Sequence, residues 1–191
     1  MMRQDRFTEQ AQQVLTASQE LVRSNRHSQW DVEHVLLALV THEDGLAAQL
    51  IEKLGAQAEV IAQQTREALE RTPKLAQVDV VQIYTTPRVV KMLENANAEA
   101  ERLKDEYVGV EHLLVAVAGI SDGDAARILN AHRIDRERVY HALHDIRGSH
   151  RVTDQSAESR YRSLEKYTTD LTELARLGKL DPVSGRDVEI Q

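Results

Sequence analysis

Two Glu-His dipeptides are the residues whose types and spacing could do chemistry in this chain. Glu33-His34 sits in Asp31-Val-Glu-His-Val-Leu-Leu-Ala-Leu39, and Glu111-His112 in Gly109-Val-Glu-His-Leu-Leu-Val-Ala-Val117, 78 residues further on. A carboxylate beside an imidazole suggests a ligand site or part of a metal site. Metal is the weaker reading, because Glu-His without a second ligand at helical spacing is not a metal motif. His141-x-x-His144 has usable spacing but stands alone. No Ser has a positioned His and Asp, and no pair of acids has a spacing that assigns acid and base. The dipeptides are therefore candidates for binding rather than catalysis. Each Glu also falls in the first turn of its helix, where a carboxylate complements the dipole and the free N–H groups. Both readings stay open.

The dipeptides belong to a longer repeat. At the same offset Leu15 corresponds to Leu93, Thr8 to Thr86, and Asp44-Gly-Leu-Ala-Ala48 to Asp122-Gly-Asp-Ala-Ala126, with no gap. Such a repeat decides architecture before any local reading.

The elements that must position the pair follow from periodicity and caps. Thr8 caps a helix running to about Arg26, with Ala11, Val14, Leu15, Ser18, Leu21 and Val22 on one face. Asp31 caps the next, whose inner face is Val32, Val35, Leu36 and Leu39. Asp44-Gly45 opens a short helix stopped by Gly55, and a fourth carries Val60, Ile61, Ala68 and Leu69 up to Pro73. The second copy opens at Thr86-Pro87, with Pro at the first helical position. Its four helices carry Val89 to Leu103, Val110 to Val117, Ala125 to Leu129 and, capped by Asp135, Val139 to Ile146. The expected fold is all-α: two tandem four-helix repeats about a pseudo-twofold axis, each too small for an independent core. Repeat one spans 5–72 and repeat two 84–147, within a domain of 1–147. The connector 73–83 has some strand character, in Val78 to Ile83, but no evident partner. Residues 148–163 are polar and read as a flexible linker. Residues 164–191 begin with a helical stripe, Leu164, Tyr167, Leu171, Leu174 and Leu177, and look like the start of a further domain.

Composition limits the function classes. The chain of 191 residues is 41% hydrophobic and 29% charged, with 4% aromatics and no Cys. Disulfides and thiol chemistry are excluded, and a reducing cytoplasm fits. A net charge of −7 without a basic run argues against nucleic acid. No apolar stretch suggests a membrane span.

The repeats resemble the double Clp-N repeat of Clp ATPase chaperones. The tail adds to this: Arg151-Val-Thr-Asp-Gln155, then Leu164-Glu-Lys-Tyr-Thr-Thr-Asp-Leu-Thr-Glu-Leu-Ala175, Gly178-Lys-Leu-Asp-Pro-Val183 and Gly185-Arg-Asp187. It is similar to the linker and first AAA+ entrance of ClpB-type disaggregases. Ser184 departs from the Ile of that family. No Gly-x-x-x-x-Gly-Lys-Ser/Thr phosphate loop occurs in the chain. The resemblance implies a non-enzymatic, cytoplasmic, monomeric substrate-binding module without a cofactor. ATP and magnesium would belong to AAA+ modules outside these residues. The implied partners are unfolded or aggregated polypeptides, the AAA+ modules of a hexamer and, through other domains, a DnaK-type chaperone system. The implied substrate contacts are Thr8, Asp105 and Glu111, at the edge of an apolar groove that Asn95 and Glu99 would make more polar. The related ClpC proteins imply an alternative, phosphoarginine or adaptor binding at Glu33 and Glu111.

Overall fold

The computed structural model describes residues 4–77 and 82–161. The chain divides into two compact units, residues 1–158 and 159–191, and only residues 159–161 of the second are described. The stripe from Leu164 to Leu177 and the segment 78–81 lie outside the described residues.

The first unit is all-α. Its first four helices are α1 (Glu9–Ser24), α2 (Val32–Thr41), α3 (Leu46–Lys53) and α4 (Ala58–Glu70). The second four are α5 (Pro87–Arg102), α6 (Val110–Ala118), α7 (Asp124–Ala131) and α8 (Arg136–Arg147). Each start in the first set recurs 78 residues later in the second. The caps expected from sequence are made: the Thr8, Thr86 and Asp135 side chains accept from the N–H of Ala11, Val89 and Arg138. Gly55 ends α3 with φ +84°, a left-handed position that glycine enters without strain. Arg133 takes the matching position after α7 at φ +56°, where a side chain costs about 1 kcal/mol.

α2 and α6 form the centre. Both are buried along most of their length, Val32 to Val40 and Val110 to Val117. Sequence periodicity gave each a single inner face, because it saw only one repeat. α2 packs against α1, α3 and α4 of its own repeat and against α5, α6 and α7 of the other. A helix covered on all sides is apolar all round. At the edges the assignment is looser: Val60 of α4 is 38% exposed, and Leu15 and Leu21 of α1 are only partly covered.

The repeats are interlocked by two short backbone ladders. β1 (Gln29–Trp30) pairs in parallel with β2 (Tyr84–Thr85), immediately after the connector. The mirror contact is the parallel bridge Phe7↔Val108, the same two positions at the 78-residue offset. Each ladder places the N-cap of one repeat's first helix beside the start of the other repeat's second helix. Thr8 therefore meets α6, and Thr86 meets α2.

The polar run after Ile146 is held over part of its length, contrary to the flexible linker read from sequence. Val152, Ala157 and Glu158 are buried. Val152 N–H donates to Asp105 Oδ1 (2.9 Å), Glu106 N–H to the Val152 carbonyl (2.9 Å) and Glu9 N–H to the Gln155 carbonyl (2.9 Å). Composition misjudged it because a few buried contacts, rather than an apolar face, hold it down.

Candidate functional site

Glu111 and His112 are the second and third residues of α6, after the N-cap Gly109. That position gives the histidine a local duty. His112 Nδ1 accepts the Gly109 N–H at 2.8 Å, which satisfies one of the donors a helix start leaves unpaired. Its proton is then on Nε2, which donates to Asp105 Oδ2 at 2.7 Å. Asp105 Oδ1 accepts from Arg147 and from Val152 N–H. Burial pushes the Asp105 carboxyl up, but the hydrogen bonds from His112, Arg147 and Val152 outweigh it, and its pKa lies below the usual value.

Glu111 is fully buried, and neither of its oxygens accepts a hydrogen bond from the described residues. Arg147 Nη1, also without a hydrogen bond among them, stands 3.6 Å from Glu111 Oε1. On the other side lies Glu158, whose Oε1 accepts from the Thr8 hydroxyl (2.5 Å) and from Val110 N–H (3.0 Å). Its Oε2 is buried without a hydrogen-bond partner among the described residues. Burial, and then the negative charge of Glu111, push the Glu158 carboxyl up to about 7 against the pull of those two hydrogen bonds.

Thr8, Asp105 and Glu111 thus gather at the start of α6, linked through Arg147 and Glu158. All three are buried. Sequence reasoning missed Arg147 and Glu158. Their only signal was indirect: Val152 and Ala157 are small apolar residues set in an otherwise polar run.

At α2 the corresponding parts are arranged differently. Asp31 is the N-cap, and its carboxylate accepts Val32 N–H at 2.8 Å. Thr86 Oγ1 donates to it at 3.2 Å, and Arg88 forks onto it through Nε (3.2 Å) and Nη2 (2.6 Å). His34 Nδ1 accepts Asp31 N–H (3.0 Å) and its Nε2 meets His27 Nδ1 at 2.8 Å. Glu33 Oε1 accepts the N–H of Ala125, in the first turn of α7. Glu33 is 7% exposed and lines a cavity of about 350 Å³ with Asp31, Arg88 and Asp124. Glu33 and Glu111 therefore belong to separate clusters.

The His27–His34 pair carries a pH prediction. Burial, followed by the charge of His27, depresses His34 to about 4 from its ordinary 6.5. A histidine depressed by folding contributes stability that is complete above its unfolded value and lost as pH falls from about 6.5 toward 4. Thermal midpoints measured across this window should fall with acid, and His34→Gln should flatten that part of the profile.

Glu99 is 6% exposed, is ion-paired with Arg136 and Arg102, and lines a cavity of about 230 Å³ together with Asn95. Arg102 lies over the Tyr140 ring, 4.6 Å from its centroid. Asn95 stays partly exposed. Among the described residues, no group of three or more His, Asp or Glu is placed to hold a metal ion, and His141 and His144 both face solvent. No helix among them is long and apolar enough to cross a membrane.

Residues 6–132 match the Clp repeat (R) N-terminal domain family. The chain is 40% identical over 186 residues to Chaperone protein ClpB 1 of Synechocystis sp., covering 97% of this chain and 20% of that protein. It is 34% identical to Chaperone protein ClpB of Bacillus cereus, covering 98% of this chain and 22% of that one. The chain therefore spans about a fifth of the length of these curated relatives. Among solved structures, the Hsp104 N-terminal domain from Candida albicans superposes with a TM-score of 0.69 at 20% identity, over 80% of this chain and 98% of that one. The N-domain of ClpV from Vibrio cholerae gives 0.60 at 15% identity, over 73% and 84%. At these identities the structural likeness is one of fold.

Proposed function

Since this chain belongs to the Clp repeat N-terminal domain family, we propose that it is the substrate-binding module of a ClpB-like disaggregase. In this reading it captures unfolded or aggregated polypeptide for ATP-driven threading by AAA+ modules. The observation that carries the reading is the Glu111 carboxylate, buried beside Thr8 and Asp105 with both oxygens lacking a hydrogen-bond donor among the described residues. A buried acceptor left unsatisfied is costly, and the N–H groups of an extended polypeptide are the donors that would satisfy it. In this reading work at the site is recognition and not bond-breaking. Affinity should be weak, because a small domain buries limited area; a ring of such modules compensates by avidity. The proposed setting is the cytoplasm, with a DnaK-type system acting through other domains.

The test is titration of the 191-residue chain with a reduced, carboxymethylated protein that cannot refold. Binding should be detectable at micromolar to millimolar concentration and weakened about tenfold or more in Glu111→Ala. No binding, together with undiminished disaggregation when the module is deleted from a complete relative, rejects the reading.

A second reading is supported by the cavity beside Glu33. There a carboxylate and the Arg88 guanidinium share one wall, which suits a ligand with a guanidinium and an anion, such as phosphoarginine. Calorimetry with phosphoarginine separates the two readings; no heat at millimolar ligand removes the second.

A further inference from the structure

The two central helix starts are capped by the same chemistry from different sources. At α2 the carboxylate belongs to the N-cap residue itself: Asp31 accepts Val32 N–H and the Thr86 hydroxyl. At α6 the N-cap is Gly109, which has no side chain, and Glu158 accepts Val110 N–H and the Thr8 hydroxyl in its place. Glycine is what makes room. A Cβ at position 109 would stand 2.7 Å from Glu111 Oε2 and 2.9 Å from Glu158 Oε1. The cap of α2 is therefore fixed to its own helix, whereas the cap of α6 is carried by the tail segment.

That tail segment reaches the site through irregular residues 151–153, a turn at 154–156 and the first helical residues, Ala157 and Glu158. Val152 uses both backbone groups, N–H to Asp105 and carbonyl from Glu106 N–H, and the Gln155 carbonyl accepts Glu9 N–H at the start of α1. Thr8, Asp105 and Glu111 are buried, and Thr8 and Asp105 are hydrogen-bonded to it. We propose that residues 152–158 are the resident occupant of the Thr8–Asp105–Glu111 site, and that polypeptide binds there by displacing this segment. The inference rests on the substrate-binding reading above and gives that site its regulation.

The occupant is held on terms that allow release. Glu158 faces Glu111 of α6 and the Thr8 hydroxyl, and Arg147 of α8 is directed to Glu111 and Asp105 rather than to it. Asp105 in turn is engaged by His112. Two neighbouring buried carboxylates resist ionising together. With its carboxyl pushed up to about 7, Glu158 seats best when protonated. Seating is therefore strongest in acid and weakens as pH rises through about 7.

Two substitutions in the 191-residue chain pull in opposite directions. Glu158→Gln keeps an oxygen for Thr8 and Val110 and brings an amide donor toward the unpartnered oxygens of Glu111, so the segment should seat more firmly. Glu158→Ala removes the anchor. Two readouts are taken at pH 6 and pH 8: amide hydrogen exchange at Glu9, Glu106 and Val152, and affinity for the reduced, carboxymethylated protein. Expected for Glu158→Ala are exchange about tenfold faster or more, several-fold tighter binding, and loss of the pH dependence. Expected for Glu158→Gln are slower exchange and weaker binding. Unchanged exchange in Glu158→Ala overturns the inference, as does faster exchange with unchanged affinity. If no form of the chain binds polypeptide, it is the substrate-binding reading that fails; the exchange data then decide alone whether the segment is seated.

Discussion

Arg147→Ala is expected to destabilise the chain by about 3–5 kcal/mol, the range for stripping one partner from a buried ion pair. Arg147 has 7% of its side chain exposed and serves two carboxylates, Asp105 and Glu111, whose side chains have no exposure at all. Asp105 would keep His112 and Val152 N–H. Glu111 has no other donor among the described residues, and Glu158 places a further carboxyl beside it. The loss is thus an uncompensated charge more than a missing contact. Three consequences separate this from simple loss of packing. Destabilisation should shrink in acid, where protonation removes the stranded charge. Arg147→Ala with Glu111→Gln should cost less than the sum of the single changes, because the two residues share one interaction. Arg147→Lys should recover only part of the loss, since an ammonium lacks the fork that spans two carboxylates. Denaturant unfolding at pH 7 and in mild acid measures all three, and a cost below about 1 kcal/mol for Arg147→Ala at pH 7 would falsify the network.

Arg147 also marks the boundary of what the sequence discloses. The 78-residue offset, the caps at Thr8, Asp31, Thr86 and Asp135, and the apolar run of each second helix are local signals, and all of them appear in the structure. The family pattern brought Thr8, Asp105 and Glu111 forward, and they do lie together. Two kinds of feature escaped. One is pairing between distant segments, such as Phe7 with Val108 and Trp30 with Thr85. These bridges involve one or two residues each, too few to leave a period-two pattern. The other is the buried polar residue. Arg147 and Glu158 stand in polar surroundings in the sequence and resemble solvated surface there. Their burial follows from where the chain returns after α8, which no spacing encodes. The Glu-His dipeptides show the same divide. Their histidines turn out to be reciprocal caps at the third helical position, a local role, whereas the different fates of Glu33 and Glu111 depend on the distant Ala125 and Arg147.

Leu36→Ala is expected to cost about 2–5 kcal/mol, the range for emptying a fully buried leucine site, and to do so in both repeats at once. Leu36 has no exposure and belongs to α2, which touches helices of both repeats. Leu114, at the 78-residue offset, occupies the matching place in α6 and is equally buried. Neither repeat can shed its centre without uncovering the other's, and a repeat of this size has too little interior of its own to persist alone. A common core therefore predicts one transition rather than two. The chain provides a local reporter for this, because its single tryptophan, Trp30, lies in repeat one and is buried with its Nε1–H on Ser18 Oγ at 2.9 Å. Tryptophan fluorescence follows repeat one, while far-ultraviolet ellipticity follows helices of both. The two curves should coincide in the parent chain and in each variant, the usual mark of two-state unfolding. Leu114→Ala, though placed in repeat two, should lower the fluorescence midpoint about as far as Leu36→Ala does. A fluorescence transition that ignored Leu114→Ala would show two separable cores, and the interlocking by Phe7–Val108 and Trp30–Thr85 would then be too weak to make one cooperative unit.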